Sequence, residues 1–86
     1  MNSRRFAMIK LNILDMKNFL GSVNACRGEV LILFPDGKKV NINRQKNVQN
    51  ELWEQYRNNK NCLQLCLEIP NPTDYMSIVS YYAGDC

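Results

Sequence analysis

The stretch EVLILFPDGKKVNIN, residues 29–43, decides the fold. Its first part, 29–34, is a short apolar run. Pro35-Asp36-Gly37 then supplies a residue with preset φ and one that accepts positive φ, which is a tight-turn signal. Beyond the turn, 38–43 alternates, with Val40 and Ile42 on one side. Strand, turn and strand in this order predict an antiparallel hairpin. Antiparallel sheets commonly pack one face and leave the other to solvent, so the flanking segments have to provide the covering layer.

Upstream, residues 6–13 (FAMIKLNI) place Ala7, Ile9, Leu11 and Ile13 on one side, which reads as a first strand. Asp15 can accept from exposed amides at a helix start. Met16, Phe19, Leu20, Val23 and Cys26 then recur at three- and four-residue steps, predicting a helix over 15–26. Downstream, Val48, Leu52, Trp53 and Tyr56 form a narrow apolar stripe within 44–60, a second helix solvated elsewhere. Leu63, Leu65, Leu67 and Ile69 alternate with Gln64, Cys66 and Glu68 in a fourth strand stopped by Pro70 and Pro72. Asn71 or Thr73 can cap a last helix carrying Tyr75, Ile78, Val79 and Tyr82 on one face. The expected fold is therefore α+β, in the order βαββαβα.

With 86 residues, 45% hydrophobic and 22% charged, the chain has the composition of one globular domain. We expect residues 1–5 to be a flexible lead and 6–86 a single domain. The net charge of +3 is spread over scattered cations interrupted by apolar residues, so solvated surface charge is a plainer reading than nucleic-acid binding. Lys10 interrupts the only early apolar run, and no window reaches the roughly twenty apolar residues of a spanning helix. No secretion signal and no membrane insertion are expected, which points to a cytoplasmic setting.

Chemistry-bearing groupings are sparse. The chain has no histidine, hence no imidazole base and no histidine phosphoacceptor. Glu51 and Glu54 lie among polar neighbours, as on a wetted helix face. Gly21, Gly28 and Gly37 are isolated, so no phosphate-cradling loop is formed. Tyr75, Tyr81 and Tyr82 read as core packing before they read as a stacking platform. Of the four cysteines, Cys62 and Cys66 stand three residues apart with no histidine to complete a mixed zinc site. No catalytic residue, metal or cofactor is expected.

The order of elements resembles that of the HPr phosphocarrier proteins of the bacterial sugar phosphotransferase system. Local residues agree: Phe19-Leu20, Val23 and Cys26 followed by Val30 match the apolar spacing of that family's first helix and second strand. Asp36-Gly37-Lys38-Lys39-Val40-Asn41 looks like its N-G-K-x-V-N turn and third strand, and Leu63, Leu65 and Leu67 like its fourth strand. The resemblance spans about 9–82. It implies an open-faced β-sandwich with three helices on one face of a four-stranded antiparallel sheet. The family's G-I-H-A-R-P motif is replaced here by Asn12-Ile13-Leu14-Asp15-Met16, without the phosphorylated histidine or its arginine, and its regulatory serine by Arg44-Gln45-Lys46. A degenerate carrier loop at Asn12, Ile13, Leu14, Asp15 and Met16 follows, with Asp15 acting as a helix cap.

Under that architecture the uncovered face would carry Phe6, Met8, Lys10, Cys62, Gln64, Cys66 and Glu68, joined by Lys39, Asn41, Asn43 and two apolar residues of the second strand. Such a face is a candidate surface for a partner protein or for a homodimer. A second candidate, implied by the family, is a helix docking surface at Met16, Leu20, Lys46 and Leu52. The leading expectation is a non-catalytic, regulatory or adaptor protein of HPr type. The alternatives are a redox- or metal-responsive module using Cys62 and Cys66, and a small nucleic-acid binder.

Overall fold

The turn at Pro35–Gly37 forms as the sequence predicts. In the computed structural model, which describes residues 7–85, the Phe34 N–H donates to the Lys38 carbonyl and the Gly37 N–H to the Phe34 carbonyl, each at 2.9 Å. Gly37 has φ +92°, which a side chain would oppose. The Asp36 carboxylate accepts from the Lys38 N–H at 2.9 Å and stiffens the turn. The paired strands are shorter than expected: β2 is Leu31–Leu33 and β3 is Lys39–Asn41. Beyond Leu31 the Asn41 side chain intervenes. Its Oδ1 accepts from the N–H groups of Val30 and Asn43, both at 3.1 Å, drawing them out of the ladder.

The other strands are β1 (Ala7–Ile13) and β4 (Leu63–Ile69), each seven residues. They pair antiparallel without interruption from Ala7↔Ile69 to Ile13↔Leu63. The single sheet has the order β1-β4-β2-β3. Period-two alternation then sorts the side chains. Leu11, Ile13, Ile32, Leu65, Leu67 and Ile69 face one side and are buried, while Met8, Lys10, Asn12, Gln64 and Cys66 face the other.

Three helices, α1 (Met16–Asn24), α2 (Lys46–Asn58) and α3 (Pro72–Asp85), complete the α+β fold in the order βαββαβα. Met16, Phe19, Leu20 and Val23 of α1, Leu52 and Tyr56 of α2 and Ile78 of α3 join the buried strand residues in one core cluster, so the helical layer sits on one face of the sheet. Asp15 caps α1, its Oδ1 accepting from the Asn18 N–H at 3.1 Å. Asn71 caps α3, accepting from the Thr73 and Asp74 N–H groups, and Pro72 takes the first helical position, where its missing N–H costs nothing. Residues 1–6, including Phe6 of the expected docking face, lie outside the described residues, as does Cys86; the side chains of Tyr81 and Tyr82 are likewise outside them.

The segment joining α1 to β2 is fixed by polar groups borrowed from elsewhere. The buried Asp74 carboxylate, in the first turn of α3, accepts from the N–H groups of Arg27 (3.0 Å) and Gly28 (2.8 Å). The Asn43 side chain donates to the carbonyls of Cys26 (3.1 Å) and Gly28 (2.6 Å). Asn43 is therefore buried beneath this loop, not on the uncovered face where strand alternation had placed it; the ladder stops at Asn41 and the chain turns inward. Burial, reinforced by the adjacent Asp74 charge, pushes the Cys26 thiol up from its ordinary 9.0 to about 11.

Just past the C-cap of helix α2, Lys60 (φ 59°) and Asn61 (φ 58°) are two consecutive left-handed residues that both carry a Cβ. Lys60→Gly is expected to raise unfolding stability by about 1 kcal/mol in a denaturant titration; an unchanged or lower midpoint would count against this account. Because the Cys26 thiol ionises less readily in the folded chain, its contribution to stability is complete below pH 9.0 and is lost as the pH rises toward about 11. The stability difference between the parent and Cys26→Ala should shrink across that interval and stay level from pH 6 to pH 8.

Candidate functional site

The uncovered face is built from four short rows set by strand register. Met8 of β1 lies opposite Glu68 of β4, which lies opposite Leu31 of β2, which lies opposite Asn41 of β3. Lys10 lies opposite Cys66, Asn12 opposite Gln64, and Leu33 opposite Lys39. The structure thus brings together Met8, Lys10, Gln64, Cys66 and Glu68, as the alternation predicts. It also resolves the second strand: Leu31 and Leu33, both half-buried, share this face, and Val30 and Ile32 go to the core.

One member of the set behaves differently from expectation. Glu68 is only 4% exposed, although its strand position faces away from the helices. Its two carboxylate oxygens lie 3.1 and 3.3 Å from the Lys39 ammonium. The partners stand on strands separated by β2, two interstrand spacings of about 4.8 Å, so the Lys39 side chain spans β2. Glu68 is thereby neutralised and shielded, and is withdrawn from the list of groups a partner can meet. A period-two reading assigns a side but cannot see an ion pair that crosses an intervening strand.

The apolar part of the face is real but asymmetric. Met8 is 53% exposed at one edge, with Leu31, Leu33 and Cys66 half-buried beside it, while Phe34, 39% exposed, lies past the end of β2 at the start of the turn. Strand β4 pairs with β2 only at Leu67 and Glu68. Below that point the strands part, and a groove of about 670 Å³ opens between Leu63–Cys66 and the hairpin, bordered by Lys10, Leu33, Phe34 and Gln64, with Gln55 of α2 behind. The sequence gives no signal for this groove, because it arises from where the ladder ends.

At the β1–α1 junction, Ile13 and Met16 are fully buried, Asn12 is exposed, and Leu14 is 58% exposed. The Leu14 carbonyl accepts from the Tyr56 hydroxyl at 2.6 Å, tying the junction to α2. Asp15 holds the helix start with one carboxylate oxygen and the Asn18 side-chain amide with the other, at 2.8 Å. An anionic group already sits where α1 presents its amides, so an incoming anion would meet like charge.

The helix docking surface needs correction. Met16, Leu20 and Leu52 all point into the core, leaving Lys46 as the one exposed residue of the four. Their helical spacing marks the packed stripe, and the outer surfaces of α1 and α2 are formed by polar neighbours such as Lys17, Asn18, Asn50 and Glu51. Cys62 and Cys66 are free and half-buried. Four residues of extended chain separate them by roughly 13 Å, beyond the roughly 7 Å reach of a disulfide. Among the described residues no three metal-binding side chains converge, and no helix is long and apolar enough to cross a membrane.

No protein-family model, curated protein or solved structure matches this chain.

The ion pair supplies a test of the face. Lys39→Met leaves Glu68 shielded without its cation and is expected to lower stability by about 1–2 kcal/mol, the exposed side of the pair tempering the loss. Glu68→Met in the same chain should recover most of it; if the double variant is no more stable than Lys39→Met alone, the pair does not hold this part of the face.

Proposed function

We propose that the chain is a non-catalytic protein-binding module of HPr type, acting as a regulator or adaptor through the uncovered face of its sheet. The observation that carries the reading is the apolar groove beside β4, between Cys66 and Phe34, which opens where β2 leaves the ladder and has Gln55 of α2 at its back. A groove bordered by half-buried apolar groups and a single free-reaching lysine suits the burial of another protein's side chains. The βαββαβα order and the one-sided helical layer support the HPr comparison. The β1–α1 junction argues against phosphoryl carriage, since Asp15 offers a helix cap in place of a nitrogen nucleophile.

A second reading has one observation in its favour. Leu14 is exposed at the junction, next to the polar outer surface of α1, and could seat a partner that approaches the helices. A competition assay separates the two. The chain is titrated into a purified sugar phosphotransferase reaction, where it is expected to slow phosphorylation of HPr while gaining no phosphate mass itself. Phe34→Lys should abolish the competition and Leu14→Lys should leave it intact. Phosphate on this chain, or the reverse pattern of sensitivity, would overturn the open-face reading.

A further inference from the structure

The two edges of the sheet are not alike. β3 is three residues long and belongs to a tight hairpin, which makes it a poor template. β1 is seven residues long and runs in unbroken register with β4 along one side, with no bulge and no proline. Along its other side no main-chain group of residues 7–13 has a partner among the described residues. A row of bare N–H and C=O groups of this length accepts an extended, alternately apolar strand.

We propose that this edge takes up β1 of a second copy of the chain, antiparallel, about a two-fold axis at Ile9, so that two four-stranded sheets become one of eight. Three axis positions keep the strands overlapped, and charge and burial choose among them. An axis at Lys10 sets ammonium directly against ammonium, which is unfavourable. An axis at Leu11 brings together Leu11, Ile9 and Ile13, but Leu11 and Ile13 are already fully buried within one copy and have no surface left to lose. An axis at Ile9 opposes Ile9 to itself, and Ile9 is only half-buried. It also lays Met8, 53% exposed, beside Lys10 of the second copy, where the lysine stem can cover the thioether and keep its ammonium in water.

The register makes the charge at position 8 diagnostic. In sedimentation equilibrium from micromolar to millimolar concentration, the full 10.0 kDa chain is expected to pass to twice its mass. Met8→Glu places a carboxylate opposite Lys10 twice over and should tighten association roughly fivefold, whereas Met8→Lys should loosen it by a similar factor. Adding Lys10→Glu to Met8→Lys exchanges the two charges of the Met8→Glu pair and should tighten association as Met8→Glu does. A parent that stays monomeric throughout, or two single charged variants that shift association in the same direction, would overturn the proposal. The second result is the one expected if Met8 were simply buried on the open face. Neither result bears on the competition assay at Phe34, so the two readings fail separately.

Discussion

The structure depends on the pairing of β4 with β1. Strand β4 is the axis of the sheet: seven of its residues are matched on the β1 side and two on the β2 side, and its Leu65, Leu67 and Ile69 form the floor against which the helices pack. Burial of these side chains together with Leu11, Ile13, Phe19 and Ile78 supplies the main driving force, each fully buried apolar side chain contributing on the order of 1.5–3 kcal/mol. The uneven pairing on the two sides of β4 also creates the groove. Where β2 leaves the ladder early, the sheet exposes part of its middle strand, and the candidate site is a by-product of incomplete pairing.

Polar groups finish what the core begins. The loop from Cys26 to Val30 has no regular structure, yet its backbone is satisfied at nearly every step by Asp74, Asn43 and Asn41. A buried carboxylate is tolerated at Asp74 because it accepts two amides and lies in the first turn of a helix. This arrangement locks the end of α1 to the start of α3 and thereby sets the position of the helical layer over the sheet. The face opposite remains uncovered because all three helices are committed to the same side.

Much of this was legible in the residues. Period-two alternation in 63–69 and in 8–13 assigned inward and outward positions correctly, and the three- and four-residue spacing of Met16, Phe19, Leu20 and Val23 identified the packed stripe of α1. Asp15 was readable as a cap because short polar side chains before an apolar period have few other uses, and of the two candidates Asn71 and Thr73 it is Asn71 that caps α3. Two residues were misjudged because they take their environment from segments distant in sequence: Glu68 from Lys39 across a strand and Asn43 from the Cys26–Gly28 loop, whereas Met16, Leu20 and Leu52, which the family resemblance had put on a docking surface, stand on the buried stripes that their own spacing predicts. Local pattern gives the side on which a residue stands, but not what reaches over to cover it.

The β1–β4 ladder has a consequence for the birth of the protein. Its partners come from opposite ends of the chain, so the contacts with the greatest share of the sheet are also the most distant in sequence, a topology associated with slower folding. During synthesis the apolar alternation of Ala7–Ile13 leaves the ribosome long before Leu63–Ile69 exists. Until then the nascent first strand has both of its edges open, and it is the segment most in need of a chaperone's shelter.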